Sequence, residues 1–122
     1  MALIVVIDDE YLLAMFLADI LEDEGHEVVL AHNGQFGLER IREQRPALVI
    51  TDFMMPLMTG LELAEAVKAD DSISEIPIIL VSGAQGYIAR ERPDLFQAVL
   101  DKPFHHDDML REVRNLLGPG DV

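Results

Sequence analysis

Cysteine is absent from this 122-residue chain, which excludes a disulfide framework and thiol chemistry and suits a reducing compartment. Basic residues are scarce: 9 Lys and Arg stand against 23 Asp and Glu, for a formal net charge of -14. A field of that sign repels polyanions, so direct nucleic-acid binding is not expected. No apolar run approaches the roughly 20 residues that span a bilayer, and no basic region precedes the apolar run Leu3 to Ile7. Neither a membrane span nor a signal peptide is therefore expected, and the expected location is the cytoplasm. Repeats, low-complexity tracts and linkers are missing too, which leaves residues 1–122 as one expected domain, long enough to bury a core.

Apolar residues make up 50% of the chain and charged ones 26%, a balance that argues against disorder. Strand-like and helix-like segments alternate, the pattern of βαβ units around a parallel sheet. Strands are predicted near 3–7, 27–31, 47–51, 77–82 and 97–101, and helices near 11–24, 35–44, 60–70, 85–92 and 106–117. Gly25 should stop the first helix, Pro46 the second and Gly118-Pro119-Gly120 the last, while Pro93 cuts the fourth short.

Several of these apolar runs end in chemistry. Leu3 to Ile7 leads into Asp8-Asp9, Ala47 to Thr51 into Asp52, Ile78 to Val81 into Ser82, and Phe96 to Leu100 is soon followed by Lys102-Pro103. Open α/β sheets bind ligands outside the carboxyl ends of their strands, so these side chains should meet in one crevice. Three carboxylates there suit a hard divalent cation such as Mg²⁺, to which the Met54 carbonyl adds a neutral oxygen. Asp52 beside a metal is a nucleophile for a phosphoryl group. Lys102 supplies a point charge for phosphate oxygens and Ser82 a donor. Taken singly, Asp8-Asp9 also suits a helix N-terminus, Asp52 a loop and Ser82-Gly83 a turn. Their joint occurrence at four strand ends is what structure alone does not explain.

On Val6-Ile7-Asp8-Asp9-Glu10, Asp52-Phe53-Met54-Met55-Pro56 with Gly60, Val81-Ser82-Gly83 and Lys102-Pro103-Phe104, the chain resembles the receiver domain of two-component response regulators from Leu3 to about Gly118. The resemblance implies a three-layer, flavodoxin-like, doubly wound (βα)5 fold with a five-stranded parallel sheet in the order 2-1-3-4-5. It implies a signalling switch, not an enzyme beyond its own phosphorylation and dephosphorylation. Asp52 would accept a phosphoryl group from a histidine kinase or histidine phosphotransfer protein. Mg²⁺ would be held by Asp9, Asp52 and the Met54 carbonyl, with Asp8 acting partly through water. Ser82 takes the place of the switch hydroxyl, and Lys102 that of the phosphate-binding lysine, whose bond to Pro103 is usually cis. Where the family usually carries an aromatic, three residues before the lysine, this chain has Val99. A start at the first strand with Met1 favours a stand-alone receiver.

Leu13, Phe16, Leu17, Ile20 and Leu21 lie at helical spacing and should form the core stripe of the first helix. Leu12 and Met15 fall outside it, and with Phe16 they make an expected docking patch for the phosphodonor. The four histidines do not have zinc-site spacing. Two other functions stay open at this point. A phosphorylation-silent interaction module would keep the fold alone. An Asp-nucleophile phosphatase would need a general acid two residues after Asp52, where Met54 stands, and a cap, for which there is no insertion.

Overall fold

The computed structural model describes residues 2–84 and 86–118. In chain order they form β1 (Leu3–Ile7), α1 (Tyr11–Asp23), β2 (Glu27–Ala31), α2 (Gly34–Gln44), β3 (Leu48–Asp52), α3 (Gly60–Ala69), β4 (Ile78–Ser82), α4 (Gly86–Arg90), β5 (Ala98–Asp101) and α5 (His106–Leu117). The five strands run parallel in the order β2-β1-β3-β4-β5, the doubly wound arrangement the sequence points to.

Successive residues of a strand face opposite sides of its sheet, which divides the core in two. Ile4, Val6, Leu48, Ile50, Ile79 and Val81 pack with Leu17 and Leu21 of α1 and Met109 and Val113 of α5. Val5, Ile7, Val49, Ile78 and Leu80 pack on the other side with Leu38 and Ile41 of α2 and Leu63 and Val67 of α3. β3 and β4 are buried at every position, which is why they read as unbroken apolar runs. Each large aliphatic side chain so buried contributes about 1.5–3 kcal/mol.

Local chemistry sets the helix ends. Asn33 Oδ1 accepts the Phe36 N–H at 2.9 Å and caps α2. Thr59 and Glu62 form a capping box on α3, with bonds of 3.1 and 2.9 Å. α1 ends before Gly25, whose φ of +92° needs no side chain to be displaced. α2 closes on Arg45 in the left-handed region, directly ahead of Pro46. α4 has only five residues, in line with Pro93 shortly after it. Gln85, inside the predicted fourth helix, and Pro119 and Gly120, in the predicted last stop, lie outside the described residues.

Two expectations are corrected. β3 runs one residue further than predicted, through Asp52, because Asp52 still pairs with Val81 across the ladder. The buried stripe of α1 is Ala14, Leu17, Ala18 and Leu21, and Phe16 is 54% exposed. Ala14 and Ala18 share the buried face with Leu17 and Leu21, which turns Phe16 outward.

Candidate functional site

Because the strands are parallel, β1, β3, β4 and β5 deliver their last residues to one edge of the sheet. Ile7 pairs with Thr51, Asp52 with Val81 and Ser82 with Asp101, so the polar residues follow one another across that edge. Strand alternation then sorts them. Asp8 continues the series Ile4, Val6; Asp52 the series Leu48, Ile50; Lys102 the series Ala98, Leu100. All three series face α1 and α5. Ser82 continues Ile78 and Leu80, which face α2 and α3.

The result is a lysine surrounded by carboxylates. Lys102 Nζ lies 3.3 Å from Asp52 Oδ2, 3.7 Å from Glu10 Oε1 and 3.8 Å from Asp8 Oδ2. Asp8 and Asp52 are only 4% and 6% exposed. The Glu10 N–H donates to Asp8 Oδ1 at 2.8 Å and the Phe53 N–H to Asp52 Oδ1 at 2.9 Å, which fixes both carboxylates from the backbone. Ser82 is fully buried, and its carbonyl accepts the Lys102 N–H at 2.8 Å, tying the ends of β4 and β5 together. The Lys102-Pro103 peptide is cis. Beside this tie, Asp101 makes a two-pronged ion pair with Arg90 of α4, at 2.8 and 3.3 Å.

Above the buried groups is an open crevice of about 360 Å³ lined by Asp9, Glu10, Asp52, Met54, Gly83 and Lys102. Burial pushes the Asp8 carboxyl up to about 6, with the neighbouring Asp52 charge adding to the effect. Burial also raises Asp52, against the opposing pull of Lys102. Lys102 would be lowered by its own burial, but Asp52, Asp8 and Glu10 outweigh that and hold it above its usual value.

Asp8, Glu10 and Asp52 each offer an oxygen within 4.8 Å of the others. Two buried carboxylates that resist losing their protons, with the exposed Asp9 carboxylate and Met54 on the crevice wall beside them, are a donor set that a hard divalent cation fits, with waters completing its shell, while Glu10 within the same reach is turned to Lys102. Of the residues predicted from sequence, Asp8 and Asp52 both reach Lys102, Asp9 and Met54 line the crevice from exposed positions, and Ser82 is buried at the end of β4, next to Gly83 of the crevice wall. Glu10 is the residue sequence reasoning missed. Its one signal is chemical: Glu stands at an N-cap, where Ser, Thr, Asp or Asn is preferred. Two of the histidines are engaged away from one another: His26 Nδ1 accepts the Ala2 N–H at 3.3 Å, and the His32 ring lies tilted against Phe36 with centroids 4.9 Å apart.

The family model of the response regulator receiver domain matches residues 4–114. The polar-differentiation response regulator DivK of Brucella anthropi is 29% identical over 117 residues, covering 94% of this chain and 95% of that protein. The chemotaxis response regulator CheY4 of Vibrio cholerae has a structure that matches with a TM-score of 0.88 at 26% identity, over 96% of this chain and 99% of that one. The receiver domain of the sensor histidine kinase PA1611 from Pseudomonas aeruginosa PAO1 shares the fold at 20% identity, with a TM-score of 0.87 over 96% of this chain and 98% of that one. That structure carries a magnesium ion in its active-site cleft.

Proposed function

We propose, since this chain belongs to the response regulator receiver domain family, that Asp52 accepts a phosphoryl group from a phosphohistidine and that the modified protein changes the partner it binds. The observation that carries this reading is Asp52 itself: nearly buried, held by the Phe53 N–H, and 3.3 Å from the Lys102 ammonium at the floor of an open crevice. Phosphoryl transfer asks mainly for such positioning and charge neutralisation. Lys102 receives the phosphoryl oxygens and the Ser82 hydroxyl follows them, while the chain catalyses only its own gain and loss of the group. Residues 1–122 act as a single receiver domain in the cytoplasm; among the described residues no helix is long and apolar enough to cross a membrane. Mixing the protein with acetyl phosphate and Mg²⁺ and weighing it intact tests the proposal. A stable gain of one phosphoryl supports it, rapid turnover favours a phosphatase, and no gain favours a phosphorylation-silent module.

Mg²⁺ is the cation this reading requires, held by Asp8, Asp9, Asp52 and the Met54 carbonyl, where it would offset carboxylate repulsion and the charge of the incoming phosphoryl group. A pH signature follows from Asp8. Without metal the folded protein keeps a proton there up to about pH 6, whereas the unfolded chain releases it near 3.8. The contribution of this group to stability is therefore full below about pH 4 and is lost as pH rises to about 6. Bound Mg²⁺ favours the charged form and should return much of that loss, so thermal melts should show a larger gain from Mg²⁺ at pH 7 than at pH 5. No gain at either pH, in the wild type and Asp9→Asn alike, would remove the metal from this site.

The phosphodonor is proposed to dock on α1, where Leu12, Met15 and Phe16 are 81%, 40% and 54% exposed. Phe16 and Leu13 line an apolar groove with Pro103 and Phe104 that runs up to Lys102. The lifetime of the phosphoryl group should depend on Met54, which lines the crevice with Asp52, and on Ala84, exposed directly after Gly83 of the crevice wall. Neither side chain can hydrogen-bond a water into line, so the double variant Met54→Asn, Ala84→Glu should lose the group roughly tenfold faster. Following phosphoryl loss in Mg²⁺ after donor removal makes the comparison, and equal rates would show that these positions do not control access.

A further inference from the structure

Glu10 occupies the N-cap of α1 but makes no capping bond with its side chain. Its backbone is fixed from both ends: the N–H donates to Asp8 Oδ1 at 2.8 Å and the carbonyl accepts the Ala14 N–H at 3.0 Å. The side chain, 68% exposed, extends over the crevice to within 3.7 Å of Lys102 Nζ. Lys102 thus faces three carboxylates, of which Asp8 and Asp52 are buried and held by backbone amides, and only Glu10 is free to follow or release it.

We propose that Glu10 is a positioning residue that holds Lys102 toward the open side of the crevice and so opposes phosphoryl uptake at Asp52, an inference that rests on the phosphoacceptor reading. A phosphoryl group on Asp52 brings about two negative charges into the reach of Lys102. Either Lys102 then leaves Glu10, or two anions crowd around one ammonium. Both outcomes raise the modified state, and the transition state leading to it, relative to the unmodified protein. Glu10 also places a negative charge on the path by which an anionic donor enters.

The chain contains two lysines, Lys68 and Lys102, so isotopic labelling of lysine yields two side-chain ammonium signals. Lys68 Nζ donates to the Ser74 carbonyl at 2.9 Å, away from the crevice, and serves as the internal reference. Glu10→Gln should shift the Lys102 signal but not that of Lys68, and should raise the initial rate of uptake from acetyl phosphate in Mg²⁺ roughly three- to fivefold at low salt, a gain that shrinks at high salt. Glu10→Asp keeps the charge but is one methylene shorter and prefers to cap the helix. It should shift the Lys102 signal the same way and also speed uptake. An unmoved Lys102 signal in both variants overturns the proposal. So does faster uptake in Glu10→Gln with Glu10→Asp unchanged in rate and signal, since that marks a plain charge effect at the mouth. Lack of uptake in the wild type overturns the phosphoacceptor reading and the opposition to uptake with it, while the lysine signals still decide separately whether Glu10 holds Lys102.

Discussion

Asp52→Asn is expected to abolish phosphoryl uptake while leaving the fold intact. The amide has the shape of the carboxyl group and can still accept the Phe53 N–H that now binds Asp52 Oδ1 at 2.9 Å. It is a far weaker nucleophile, and it no longer attracts Lys102 with a full charge across 3.3 Å. Stability should not suffer, because burial makes the Asp52 carboxylate costly to keep charged, and a neutral amide removes that cost. Intact mass after incubation with acetyl phosphate and Mg²⁺ should show a loss of about a thousandfold or more in initial rate. Uptake at full stoichiometry in this variant would place the acceptor elsewhere, with Asp8, Asp9 and Glu10 the nearest alternatives.

Gly60→Ala is expected to damage both stability and the site, although it changes a residue that touches no ligand. Gly60 opens α3 immediately behind the acceptor, and its N–H donates to the Phe53 carbonyl at 2.8 Å. A Cβ there would lie 2.5 Å from the Asp52 carbonyl oxygen, 2.9 Å from Leu80 Cδ1 and 3.1 Å from Phe53 Cα. Two of those three atoms belong to the backbone on either side of the acceptor peptide, so relief requires the chain carrying Asp52 to move. Overpacking of this kind costs about 1–3 kcal/mol. Displacing the nucleophile by a fraction of an ångström should also slow uptake by about tenfold or more. Gly83→Ala is the matched control, since its Cβ meets nothing within 4 Å although Gly83 also lines the crevice. Urea melts and uptake rates on the two variants test the claim. Equal stability and equal rates would show that the loop behind Asp52 has slack that the static geometry does not reveal.

What was legible in the sequence follows from where the physics is local. Ile4 to Ile7, Leu48 to Ile50 and Ile78 to Val81 are apolar on both faces, and only a central parallel strand needs that, so the sheet and the convergence of Asp8, Asp52 and Ser82 at its edge could be read directly. Pro93 likewise announced a short α4. Phe16 was misread because Ala14 and Ala18 complete the buried face with Leu17 and Leu21, and small residues leave little mark on an apolar stripe that larger side chains dominate. Glu10 was passed over because its role depends on the reach of a lysine 92 positions away in the chain, at 3.7 Å, which no local pattern encodes. The edge pairing of Ser82 with Asp101, and through Asp101 the contact to Arg90, is hidden for the same reason.

The alternation that sends Asp8, Asp52 and Lys102 to one side of the sheet and Ser82 to the other has a mechanical meaning. Along the body of the sheet each helical layer packs on its own set of side chains. At the carboxyl edge one ligand could touch both sets. A tetrahedral anion gripped by Lys102 from the α1 and α5 side and by the Ser82 hydroxyl from the opposite side would act as a strut through the plane of the sheet. Any shortening of that strut would draw the end of β4 toward the carboxylates, and the Asp101 to Arg90 clasp would carry the pull outward to α4. A change of charge on one side of the protein would then arrive on the other as a displacement.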